Sequence, residues 1–84
     1  LEKVPAKLAA EVTRQVKAVT IGIGAGNGCD GQVLVYSDAL GMTQGFKPKF
    51  LRHFAKVGEE MTKGVQSYVD AVKKGEYPSL EESY

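Results

Sequence analysis

The sequence has no tryptophan, one cysteine (Cys29), one histidine (His53) and three prolines, and it has no excess of either charge. Each shortage excludes something. A single cysteine closes no internal disulfide, so this is not a stapled secreted mini-domain, and a reducing compartment is expected. One cysteine and one histidine fall short of the three or four ligands of a zinc site. Eleven Lys and Arg stand against ten Asp and Glu for a net +1, distributed as +2 over residues 1–17, −2 over 18–44 and +1 over 45–84. That leaves no basic stretch for nucleic acid or for an anionic membrane surface. The longest weakly polar run, residues 18–26, is nine residues long with four of them Thr or Gly. A membrane span needs ~20 predominantly apolar residues. A soluble protein is expected. A charged n-region followed by an apolar h-region is also lacking, and a start at Leu1-Glu2 reads as an interior cut.

What is present is ordinary for a folded chain. With 43% apolar and 25% charged residues over 84 positions, the sequence suits one small domain or part of a larger one, and two domains are excluded.

Val4-Pro5 opens a helical period in which Leu8, Val12 and Val16 recur every four residues, predicting a helix from Pro5 to about Lys17. At Ala18 the period drops to two. Val19, Ile21, Ile23 and Ala25 take one face of a strand, and Thr20, Gly22, Gly24 and Gly26 the other. Alternate glycines leave that second face open to a ligand or to a closely approaching backbone. Gln32 to Tyr36 is nearly continuous in apolar residues and reads as a parallel strand covered on both sides. Ala39 to Gly45 reads as loop or one short turn. From Phe50 the apolar positions Phe50, Phe54, Val57, Met61, Val65, Tyr68 and Val72 step by three and four, with Gly58 predicting a break into two helices and Lys73-Lys74-Gly75 a stop. The fold class is α/β, with too few strands for a stable sheet.

Gly26-x-Gly28-x-x-Gly31 fits a dinucleotide fingerprint in spacing only. A strand follows it where a helix is required, and residues 44–58 hold no acidic partner. Cys29 reads as a space-filler, His53 as a surface imidazole, and Asp30 and Asp38 as turn caps. Glu2, just before a helix start, reads on its own as favourable to the helix dipole.

Taken together, Leu1-Glu2-Lys3-Val4-Pro5, Thr20 to Asn27, Cys29 to Val35, Asp38 to Gly41 and Glu76-Tyr77-Pro78 closely resemble the ketopantoate hydroxymethyltransferase family over all 84 residues. The resemblance implies that residues 1–84 are a single partial domain, the C-terminal third of a (βα)₈ barrel, from the end of strand six through the C-terminal helices and tail. It implies that Thr20, Gly22 and Gly24 face the barrel interior, with Val19, Ile21 and Ile23 under the helices. The implied activity is transfer of a hydroxymethyl group from 5,10-methylenetetrahydrofolate to 3-methyl-2-oxobutanoate, giving 2-dehydropantoate for pantothenate biosynthesis. The implied catalytic residue is Glu2, as the acceptor of the C3 proton. The implied cofactor is Mg²⁺, with ligands outside this chain, and the implied partners are the 2-oxo acid, the folate and further copies of the protein in a cytoplasmic homo-oligomer. The family's usual Glu-His-Ser-Phe tail is here Glu82-Ser83-Tyr84, without the histidine.

Two alternatives stay open. A non-catalytic α/β module could receive a partner on its glycine strand. The link of five or six residues before Gln32 favours an antiparallel hairpin over the parallel pairing of a barrel, unless Gln32 to Tyr36 is instead helical, entering at Asp30.

Overall fold

Pro5 lies just ahead of the first helix, where its missing N–H leaves no bond unmade. In the computed structural model, which describes residues 1–84, the elements run α1 (Ala6–Gln15), β1 (Ile21–Gly22), β2 (Gly31–Gln32), α2 (Tyr36–Ala39) and α3 (Val57–Lys73). Ahead of α1, Glu2 forms a parallel bridge with Ile23, and β1 pairs in parallel with β2 in the register Ile21 to Gly31 and Gly22 to Gln32. The pairing is therefore parallel, and the hairpin is excluded. Both predicted strands are shorter than expected, because the chain turns at Gly24 (φ 64°) and Gly26 (φ 76°). Residues 32–36 are not a helix entering at Asp30; the helical turn begins only at Tyr36.

A parallel return over only Ile23 to Asp30 is far shorter than the usual dozen or more residues. It closes because the loop runs flat along the helix side of β1. A Cβ on Gly22 would stand 2.9 Å from Cys29 Sγ, one on Gly26 2.5 Å from the Ala6 Cβ, and one on Gly28 2.7 Å from the Ala10 Cβ. Gly22 is thus covered by the Cys29 side chain of the returning loop and Gly26 and Gly28 by α1, while Gly24 meets the Phe50 ring. Asp30 pins the end of the loop: its carboxylate accepts from the Thr20 N–H (2.8 Å) and hydroxyl (3.2 Å), and its own N–H donates to Thr20 Oγ1 (3.2 Å). Thr20 Oγ1 also lies 2.8 Å from Thr13 Oγ1 of α1.

That last contact corrects the expected faces. Thr20 is buried toward α1, whereas Val19 and Ile21, on the opposite face, are 75% and 47% exposed. The glycine face is the helix face, and the β-branched face is open.

The second correction concerns residues 50–56, where the apolar spacing predicts helix and the chain is irregular. One of its amides and the first two of α3 bond across the molecule instead: Phe54 N–H to Ala39 O (2.7 Å), Val57 N–H to Leu40 O (3.0 Å) and Gly58 N–H to Gly41 O (3.1 Å). Long-range partners outcompete the local helix. The last two bonds cap the first turn of α3, whose orphan amides otherwise have no side-chain cap. Gly58 therefore marks a close approach rather than a break between two helices, since a Cβ there would stand 2.5 Å from Gly41 O. The far end of α3 closes as expected, with Gly75 at φ 72° and Glu76 N–H donating to Ala71 O.

Only Ala9, Ala25 and Leu51 form a buried apolar core, and no large side chain is fully buried. The radius of gyration is 21.3 Å, where a compact chain of this length would have about 12 Å. The accessible surface is 6942 Å², against roughly 4,900 Å² for a closed monomer of this mass. Met61, Val65, Tyr68 and Val72 form an uncovered stripe along α3. No helix is long and apolar enough to cross a membrane.

Two outcomes are expected. The isolated 84-residue chain gives a broad, non-cooperative thermal trace, poor amide dispersion and self-association; a sharp transition with dispersed resonances would contradict this reading. In the full-length protein, Asp30→Ala lowers unfolding stability by about 1–2 kcal/mol, measured by denaturant titration, because the Thr20 amide and hydroxyl lose a charged acceptor.

Candidate functional site

The three parallel segments end together, and their carboxyl ends are where an α/β sheet offers space for chemistry. Glu2 stands at one of these ends. Its neighbours lock it to the sheet: Ile23 N–H donates to Leu1 O and Lys3 N–H donates to Ile23 O, both at 2.9 Å. Directly paired residues in a sheet project to the same face, so Glu2 shares the face of Ile23 and Ile21, away from α1. Its carboxylate is exposed, with no hydrogen bond or ion pair within the chain. The next residue, Lys3, sits at φ 54°, a left-handed conformation unusual for a side-chain-bearing residue, and it swings the chain from the bridge into α1. Nothing caps the α1 N-terminus with a side chain, so the helix-dipole reading of Glu2 gains no contact.

The irregular segment 46–56 crosses above these strand ends. It lays the Phe50 ring against Gly24, where a Cβ would stand 2.7 Å from the ring. Two clefts flank that ring and share both residues. The larger, about 690 Å³, also reaches Lys3, Gly26 and Lys49, and the smaller, about 190 Å³, reaches Ile23, Gln32 and Arg52. Sequence reading missed Lys3, Lys49, Phe50 and Arg52. Phe50 sat in an apparent helical stripe, and the only local signal was the pair of lysines around Pro48, Lys47 and Lys49, which points to Lys49 alone.

The other candidates are structural. Asp30 serves as the loop clamp, as its turn reading anticipated. Cys29 packs its sulfur against Gly22 on the helix side, while His53 lines a separate cleft with Gly41 and Glu59, so no Cys-His pair exists. No three His, Cys, Asp or Glu side chains converge as a metal site. The return loop covers Gly22 and α1 packs against Gly26, while Gly24 meets the Phe50 ring and Gly24 and Gly26 line the larger cleft.

A sequence profile of the ketopantoate hydroxymethyltransferase family matches residues 1–80. Over its full length the chain is 54% identical to a 3-methyl-2-oxobutanoate hydroxymethyltransferase of Parabacteroides distasonis, 56% to one of Phocaeicola vulgatus and 57% to one of Christiangramia forsetii. In each case it spans 31% of the relative's length. With the matched stretch running from the Glu2 bridge through the strand ends to the tail beyond α3, the chain belongs to the ketopantoate hydroxymethyltransferase family.

Proposed function

We propose that the full-length protein transfers a hydroxymethyl group from 5,10-methylenetetrahydrofolate to 3-methyl-2-oxobutanoate, with Glu2 as the general base. The observation that carries this is the placement of Glu2: fixed through the backbone on either side of it, unpaired, and on the open face at the strand ends. Its carboxylate accepts the C3 proton of the oxo acid, and the electron pair of that C–H bond passes onto the 2-oxo oxygen as the enolate forms. C3 then bonds to the methylene carbon of the folate as one of that carbon's two C–N bonds breaks. Water replaces the remaining nitrogen, leaving its hydroxyl on the carbon, and tetrahydrofolate departs with the proton that Glu2 accepted and the second proton of the water, so the product is 2-dehydropantoate.

We read residues 1–84 as the last part of a (βα)₈ barrel. The support is topological: three parallel segments in sequential order, with both connections on one face and the bulky residues Val19, Ile21 and Ile23 on the other. Barrel interiors are filled by such branched side chains. The residues present do not make a Mg²⁺ site, so any such ion takes its ligands from outside this chain and no step here passes through it. The homo-oligomer and the cytoplasmic location rest on the resemblance alone.

Glu2→Gln in the full-length enzyme removes the proton acceptor while keeping nearly the same shape. Isotope exchange at C3 of 3-methyl-2-oxobutanoate, followed by NMR, falls about 10²- to 10⁴-fold while Mg²⁺ affinity stays nearly unchanged. Exchange at the wild-type rate would remove Glu2 from the mechanism. The isolated 84-residue chain, offering a base and no metal site, shows no Mg²⁺-dependent product formation in a coupled assay.

A further inference from the structure

The walls of the two clefts at the strand ends carry Lys3, Lys49 and Arg52 and not one carboxylate, in a chain whose acidic and basic residues otherwise number ten and eleven. None of the three cations is in an ion pair; the chain's pairs are Glu11 with Arg14 and Glu60 with Lys63. The N-terminus of α1, free of any side-chain cap, adds its positive end to the larger cleft. Between the cations stands an aromatic surface. Phe50 forms a wall of both clefts, and the Arg52 guanidinium lies 5.6 Å from the centre of the Phe54 ring. The larger cleft alone, about 690 Å³, suits a ligand of several hundred daltons.

A small 2-oxo acid has one carboxylate and belongs beside Glu2, so it leaves most of this surface unused. An elongated ligand with a planar ring and carboxylates at its far end uses all of it. We propose that the paired clefts seat the aminobenzoyl-glutamate end of the folate co-substrate, with the ring against Phe50 and the glutamate carboxylates on Lys49 and Arg52. This rests on the reaction read above. It assigns the folate's tail to the 46–56 segment, with Lys3, next in sequence to the base, on the wall of the larger cleft. Arg52 offers a planar fork for a carboxylate and Lys49 a point charge, so the two are not interchangeable.

In the full-length enzyme, Lys49→Ala and Arg52→Ala each raise the KM for 5,10-methylenetetrahydrofolate about tenfold, with the KM for the oxo acid moving less than about twofold. Arg52→Lys recovers part of the loss. Lys47→Ala, a neighbouring cation outside both clefts, moves neither constant. N-(4-aminobenzoyl)-L-glutamate inhibits competitively against the folate and not against the oxo acid, more weakly at high salt and in both alanine variants. An unchanged folate KM in both variants, or a rise confined to the oxo-acid KM, overturns the assignment. Wild-type C3 exchange without folate separates the two levels: exchange with an unchanged folate KM in the variants sinks only this seat, and no exchange sinks the reaction itself.

Discussion

The clamp between Asp30 and Thr20 is the constraint on which the remaining architecture depends. A chain that leaves β1 and returns to its neighbour within a few residues would ordinarily fold back antiparallel, because that route costs the least loop. Here the Asp30 carboxylate takes the Thr20 amide and hydroxyl, and the Asp30 amide returns a bond to the same hydroxyl. These bonds place Gly31 level with Ile21, where the parallel register starts. Thr13 of α1 joins the same hydroxyl, so helix, strand and loop end meet at one buried threonine. With an antiparallel return the strand ends would not lie on one side, and the open space around Glu2 and Phe50 would not form.

The clamp also decides which face of the sheet is inside. By holding the loop against Gly22 and under α1, it commits the glycines to close packing and leaves the β-branched residues uncovered. Glu2 follows Ile23 onto that uncovered face through its pairing. A strand-end carboxylate facing a wall of helix would do no chemistry; facing the open side, it meets whatever occupies the strand ends.

An open face of this kind is costly in isolation. The excess of exposed surface over that of a closed monomer, roughly 2,000 Å², is the scale of a permanent interface. It includes Val19, Ile21, Phe46, Phe54 and the α3 stripe, spread along a slab with extents of 67 × 25 × 13 Å. A chain spanning 31% of its relatives' length and exposing these faces has the anatomy of one sector of a larger body.

The sequence by itself determined the local elements whose cause is local. Pro5 before α1, the period of four through Leu8, Val12 and Val16 and the glycine stop at Gly75 all act within a few residues of one another and appear nearly where they were read, whereas the alternation through residues 19–25 yields only the short β1 and the bridge at Ile23. The motif strings around Glu2 and Thr20 to Asn27 carried the family and the candidate base, since residue identity at fixed spacing survives without coordinates. Tertiary structure decided the rest. Alternation gives two faces without saying which is covered, and only the contact of Thr20 with Thr13 answered that. The same limit applied to Phe50 and Phe54: their spacing is helical, yet the carbonyls of Ala39, Leu40 and Gly41 claimed the amides of this segment and the start of α3. Bonds between residues fifteen or more positions apart leave no periodic trace in a chain. For that reason the cationic clefts above the strand ends were invisible until the fold brought Lys3, Lys49 and Arg52 around one ring.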